Sequence, residues 1–131
     1  HPLYLDVEQP TGEYHDSLLF LTDDLVLLHG VKTGIDAARK EIQTWEGLSV
    51  AQGHAHKGQL TMSVKRTKQG ESLRFAINVP SLSNRDLGYD HKRDVAQGFL
   101  VVQHHGELWN AELVPYMPQH ECIMWRDLLF R

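Results

Sequence analysis

The chain has 131 residues, 41% hydrophobic and 23% charged, the range of one ordinary soluble globular domain with a single core. A count of 13 basic against 17 acidic residues gives a net charge of −4, which excludes a basic stripe tracking a phosphate backbone and admits a nucleic acid only as a substrate held at a site. No apolar run reaches the length of a membrane span, and the single cysteine, Cys122, excludes an internal disulfide and points to a reducing, cytoplasmic setting.

The opening His1-Pro2-Leu3-Tyr4 has neither an initiator methionine nor a basic-then-apolar leader, so it reads as the start of a cut or processed form. Residues 1–15 are polar, with Pro2, Pro10 and Gly12, and read as an irregular lead-in to a single domain spanning 1–131. Ser17–Leu21 and Leu25–Leu28 are short apolar runs around Thr22-Asp23-Asp24, the pattern of a hairpin whose second strand is buried on both faces. Beyond His29-Gly30 the period changes. Ile35, Ala38, Ile42 and Trp45 recur at three- and four-residue steps, and predict a helix over 34–46. Thr33 and Asp36 are placed to cap its start, and Gly47 to stop it.

A strand at Leu48–Ala51 then runs into Gly53-His54-Ala55-His56. Leu60, Met62 and Val64 alternate with polar residues, as do Leu73, Phe75, Ile77 and Val79, and Lys68-Gln69-Gly70 supplies the turn of a half-buried antiparallel hairpin. Residues 80–95 read as a long loop. Gly98–Val102 and Leu108–Leu113 form another strand pair around His105-Gly106. In the tail, Trp125, Leu128, Leu129 and Phe130 suggest a short amphipathic turn. This order predicts a strand-rich α/β protein with mixed sheets, a strand–helix–strand unit feeding an antiparallel meander.

The nine histidines each require a reading, because imidazole is the commonest metal ligand. Leu27-Leu28-His29-Gly30 and Gly53-His54-Ala55-His56 both end buried strands, and a crossover helix would bring those ends to one sheet edge. Three imidazoles are then expected to converge, with His54 and His56 splayed toward two ions, as two-metal chemistry requires. Gly30 and Gly53 are the supporting positions, where bare backbone permits a sharp turn. The alternative for each histidine is a strand-end side chain bonded locally.

The Gly53-His54-Ala55-His56 run resembles the Gly-His-x-His motif of calcineurin-like metallophosphoesterases, and Leu27-Leu28-His29-Gly30 resembles the His-Gly motif preceding it. Gln97–Val102 is similar to the strand opening the last hairpin in phage- and bacteria-type members. The resemblance covers roughly residues 17–114. It implies the C-terminal part of an αββα sandwich of that family. It further implies a dinuclear centre of manganese, iron or zinc, with His29 and His54 on one ion and His56 on the other, hydrolysing a phosphoester through a metal-bridging hydroxide. A small phosphoester, a nucleotide or a nucleic-acid end are the implied substrates.

The family's upstream Asp-x-His, Gly-Asp and Gly-Asn-His motifs are missing, and with them the bridging carboxylate and the histidine cast as general acid. The chain by itself is therefore expected to be inactive or weak, because the N-terminal half lies on a separate polypeptide, because the chain is a fragment, or because it is a diverged, non-catalytic binding or assembly module. His104-His105 read as turn residues, His15, His91 and His120 as solvated or locally bonded, and Cys122 as a small buried hydrophobe. Asn78 and Ser81–Asn84 sit where a loop could approach a phosphate, although ordinary turn chemistry accounts for them equally. Asp23 and Asp24 lie on the wrong side of their strand for His29.

Overall fold

Strand β1 (Leu18–Thr22) turns at Asp23-Asp24 into β2 (Leu25–Leu28), and the two pair antiparallel, with Leu18 opposite Leu28. The computed structural model describes residues 18–30, 32–45, 47–82 and 96–131. The lead-in with His1 and His15, His91, and the part of the expected loop covering 83–95 lie outside the described residues.

From β2 the chain crosses through α1 (Ala37–Glu41) and a short 3-10 turn (Ile42–Thr44) to β3 (Ser49–Gln52), which lies parallel to β2 with Leu25 opposite Ser49 and Leu28 opposite Gln52. A hairpin follows, β4 (Gln59–Thr67) and β5 (Gly70–Asn78), and β5 inserts beside β3, also parallel. The result is a mixed five-stranded sheet in the order β1-β2-β3-β5-β4. Strands β2 and β3 are almost wholly buried, which is why they read as continuous apolar runs and not as alternations. The second sheet is antiparallel: β6 (Gly98–His105), β7 (Leu108–Met117), β8 (Cys122–Trp125) and β9 (Leu128–Phe130). The protein is thus strand-rich, with one mixed and one antiparallel sheet and, among the described residues, one short α-helix.

The two faces of the first sheet have different partners. Leu25, Ala51, Phe75 and Ile77 pack with Ala111 of β7, and Leu100, Val102, Trp109 and Leu113 close over them. Phe75 and Trp109 meet with ring centroids 5.1 Å apart, and the Trp109 indole N–H donates to Asp24 Oδ1 at 2.7 Å, fastening β7 to the β1–β2 turn. On the opposite face Val26, Leu28 and Val50 meet Ile42 and Trp45.

Two local expectations are corrected. The helix is shorter than 34–46: Gly34 has a left-handed φ of 88°, and the α-helical hydrogen bonds cover only Ala37–Glu41 before tightening to 3-10. Asp36 occupies the N-cap without a side-chain cap bond; its carboxylate instead pairs with Arg39 at 3.3 Å. A remote residue supplies the cap, because Asn78 Oδ1 accepts from the Ala38 N–H at 3.0 Å. In the tail, Trp125, Leu128, Leu129 and Phe130 belong to the β8–β9 hairpin rather than to an amphipathic turn, with Trp125 opposite Leu128. Cys122 is buried and free, as its apolar character predicts.

Candidate functional site

The carboxyl ends of three parallel strands, β2, β3 and β5, reach the same edge of the sheet at Leu28, Gln52 and Asn78. In parallel sheets this edge is where binding loops collect. His29 follows β2 directly, and the parallel pairing carries on beyond the strand ends: Gly53 N–H donates to Leu28 O at 3.3 Å and His54 N–H to His29 O at 2.9 Å. That zipper sets the two histidines side by side. His29 Nε2 lies 3.0 Å from His54 Nδ1, with the rings edge to face, centroids 4.9 Å apart.

The pair has two chemical meanings. As a hydrogen bond, one facing nitrogen carries the proton and the other offers a lone pair. As a ligand pair, both offer lone pairs to a single ion. Two metal–nitrogen bonds of about 2.0–2.1 Å spanning 3.0 Å subtend about 94°, the angle between neighbouring ligands of an octahedral ion. The nitrogen separation is thus compatible with two neighbouring ligands of one ion. His56, the third expected ligand, has a left-handed φ of 56°; its N–H turns back to Gly53 O at 3.4 Å and its carbonyl accepts from Ala96 N–H at 3.1 Å. Among the described residues no group of three or more His, Cys, Asp or Glu forms a metal cluster, so the fold brings His29 and His54 together as a pair. Neutral imidazoles alone leave two adjacent divalent ions without negative charge between them.

Beneath the His29 loop are two buried amides: Asn78, which the sequence placed where a loop could approach a phosphate or make turn bonds, and Gln52, which sequence reasoning did not assign. Gln52 and Asn78 are register partners, both with 0% exposure. Gln52 Nε2 donates to Lys32 O at 2.9 Å, and Asn78 Nδ2 donates to Ile35 O at 2.5 Å. Together with the Asn78–Ala38 bond they pin residues 32–38, the segment leaving the His29–Gly30 turn. Asn78 thus has both ends of its amide engaged in holding the chain. The available signal was positional: each is a polar residue at the buried end of a strand, immediately before the chain leaves the sheet. Lys32 adds an ion pair to Glu41 at 2.6 Å, and Glu41 also accepts from the Trp45 indole at 3.2 Å. At the far side of α1, the Arg74 guanidinium donates to the carbonyls of Ile42, Trp45 and Leu48, neutralising the end of the helical segment.

The two supporting glycines differ. Gly30 has φ 80°, and an added Cβ would stand 2.5 Å from Gln52 Cδ. Gly53 lies outside the left-handed region, with open space where a Cβ would project. Among the described residues three further histidines remain. His104 and His105 end β6, bordering open clefts of about 440 and 540 Å³ near Trp109 and the Asp23-Asp24 turn, and His120 is in the exposed β7–β8 turn. Asp23 and Asp24 precede β2 whereas His29 follows it, so they stand at opposite ends of that strand. No helix among the described residues is long and apolar enough to cross a membrane. Comparison with protein-family models, with curated proteins and with solved structures found no match in any of the three.

Proposed function

We propose that the chain carries part of the metal site of a metal-dependent phosphoesterase, in the C-terminal part of a metallophosphoesterase-like sandwich. One observation carries this reading: two imidazoles from the ends of adjacent parallel strands present nitrogens 3.0 Å apart. The resemblance of the His29-Gly30 and Gly53-His54-Ala55-His56 runs supports it. A helix packed on one face of the mixed sheet and a second sheet on the other are compatible with that architecture.

In this reading His29 and His54 hold one divalent ion, manganese, iron or zinc, and His56 supplies a ligand toward a second. The ions, when bound, supply a water-derived nucleophile and withdraw charge from the phosphoryl oxygens. The residues of this chain bind and orient. The backbone zipper fixes the spacing of the two rings, and the Gln52 and Asn78 amides hold the loop that carries His29. The bridging carboxylate and the general acid come from an N-terminal half that this chain's motifs do not contain. A second reading, a non-catalytic module with a mononuclear site, is favoured by the pairing of only two imidazoles among the described residues.

Titration with Co²⁺ or Mn²⁺, followed by absorption or calorimetry, tests the ligand assignment. Uptake by the chain that falls about tenfold or more in His29→Ala and in His54→Ala is the expected result. Uptake unchanged in both variants ends the assignment. Hydrolysis of bis-p-nitrophenyl phosphate on adding a polypeptide that supplies the upstream motifs separates the readings: turnover supports the phosphoesterase, and metal uptake without turnover supports the binding module.

A further inference from the structure

The outer strand of the second sheet offers a surface independent of the histidines. The order β6-β7-β8-β9 leaves β9 with a neighbour on one side only among the described residues. Leu128, Leu129 and Phe130 are 54%, 54% and 50% exposed, and Met124 on β8 is 51% exposed. Leu128 and Phe130 stand opposite Trp125 and Ile123, and Leu129 opposite Met124, so the hairpin is apolar on both faces. Edge strands are usually defended by a mid-strand charge, a proline or a bulge. Strand β9 has none of these, and its only defence is a length of 3 residues.

The main-chain pattern fixes where a neighbour can pair. Trp125 and Leu128 flank the Arg126-Asp127 turn, the position at which hairpin partners exchange both main-chain bonds. Alternation then sends the N–H and C=O of Leu129 to the open edge. Charges flank the strand, one of each sign. Asp127 precedes it and Arg131 follows it, both exposed and neither in an ion pair among the described residues. Arg126, the other cation of the turn, is engaged on its own hairpin: its guanidinium lies 4.8 Å over the Trp125 ring, with Nε 3.9 Å from Glu112.

The run Asp127-Leu128-Leu129-Phe130-Arg131 is its own antiparallel complement. A two-fold axis at Leu129 sets Leu129 against Leu129, Leu128 against Phe130, and Asp127 against Arg131 at both ends. A parallel copy would instead set Asp127 beside Asp127 and Arg131 beside Arg131.

We propose that the chain forms a symmetric dimer by antiparallel pairing of β9 with β9 of a second copy, joining the two antiparallel sheets into one continuous sheet. Contacts of Leu128 with Phe130 and of Leu129 with Leu129 supply the apolar burial. The two Asp127–Arg131 pairs fix register and direction. The segment Asp127–Arg131 is small beside the about 20–30 residues a side of a standard interface, so the association is weak and depends on concentration.

The test uses the chain of 131 residues in sedimentation equilibrium from about 10 μM to about 1 mM, where the mass is expected to rise from monomer toward dimer. Amide exchange at Leu129 should slow over the same range, because its N–H enters a bond only in the dimer. Asp127→Arg sets cations against each other at both ends of the interface, and Arg131→Asp sets anions there. Each should self-associate about tenfold more weakly or worse, with an unchanged circular dichroism spectrum, since both positions are exposed. The double variant Asp127→Arg/Arg131→Asp should recover association. An equimolar mixture of the two single variants should recover it as well, because each chain then meets the opposite charge at both positions. A chain that stays monomeric, single variants that associate as the parent does, a mixture no better than its components, or protection that falls on β4 and not on β9 would each overturn the proposal.

Discussion

Replacing Gly30 by alanine should be far costlier than replacing Gly53, although both glycines flank the same pair of histidines. Gly30 has φ 80°, where an L-residue costs about 1–2 kcal/mol. The new methyl would also stand 2.5 Å from Gln52 Cδ and 2.7 Å from Cγ and Oε1. Gln52 cannot swing aside freely, because its side chain has 0% exposure and its amide is bonded to Lys32 O. Overpacking of this kind costs about 1–3 kcal/mol, so the sum is about 2–5 kcal/mol. Against a total stability of about 5–15 kcal/mol and a urea slope of about 1–3 kcal/mol/M, the unfolding midpoint should fall by about 2 M at the middle of both ranges. Gly53→Ala meets no atom within 4 Å and should change stability by less than about 0.5 kcal/mol. Urea unfolding of both variants, followed by tryptophan fluorescence and circular dichroism, measures the difference. In the double variant Gly30→Ala/Gln52→Ala the steric part should disappear and the backbone part remain, so the double variant should lose less stability than the two single variants summed. Equal midpoints for Gly30→Ala and Gly53→Ala would refute the claim that the His29 turn is shaped by close packing against Gln52.

Asn78→Ala leaves the Ala38 N–H and the Ile35 carbonyl without their partner; at about 1–3 kcal/mol for each orphaned group it should destabilise by about 2–6 kcal/mol in urea unfolding. It should also speed hydrogen exchange at Ala38. Arg74→Lys keeps the charge but cannot span the Ile42, Trp45 and Leu48 carbonyls with one ammonium, so a loss of about 1–2 kcal/mol is expected in the same assay. His120→Ala should leave Co²⁺ uptake unchanged under conditions where His54→Ala reduces it, because His120 is in the exposed β7–β8 turn and belongs to no metal-ligand group among the described residues.

Much of the strand order was legible, since alternation and continuous apolar runs report burial on one face or two. The hairpin of β4 and β5 follows directly from Leu60, Met62 and Val64 against Leu73, Phe75 and Ile77. The parallel pairing of β2 and β3 followed from the intervening helical segment, since a strand–helix–strand crossover favours that arrangement. Helix length was harder to read. The 3.6-residue stripe runs through Ile35 and Trp45, yet Gly34 and the 3-10 turn confine α1 to Ala37–Glu41. The tail misled for a related reason: Trp125, Leu128, Leu129 and Phe130 are spaced like one face of a helix, but pairing with β7 through β8 makes them strands.

The sequence by itself determined which segments are apolar enough to be buried and which residues close them, and so placed His29 and His54 at strand ends. Side-chain type and periodicity are local quantities, and they suffice for that. Tertiary structure decided which of those ends meet. The 3.0 Å imidazole contact depends on the register of β2 against β3, and the seating of the His29 loop depends on Gln52 and Asn78, the latter 40 residues from the helix start it caps. A hydrogen bond between residues far apart in the chain leaves no period in the sequence, because its partner is chosen by the packing of the whole sheet.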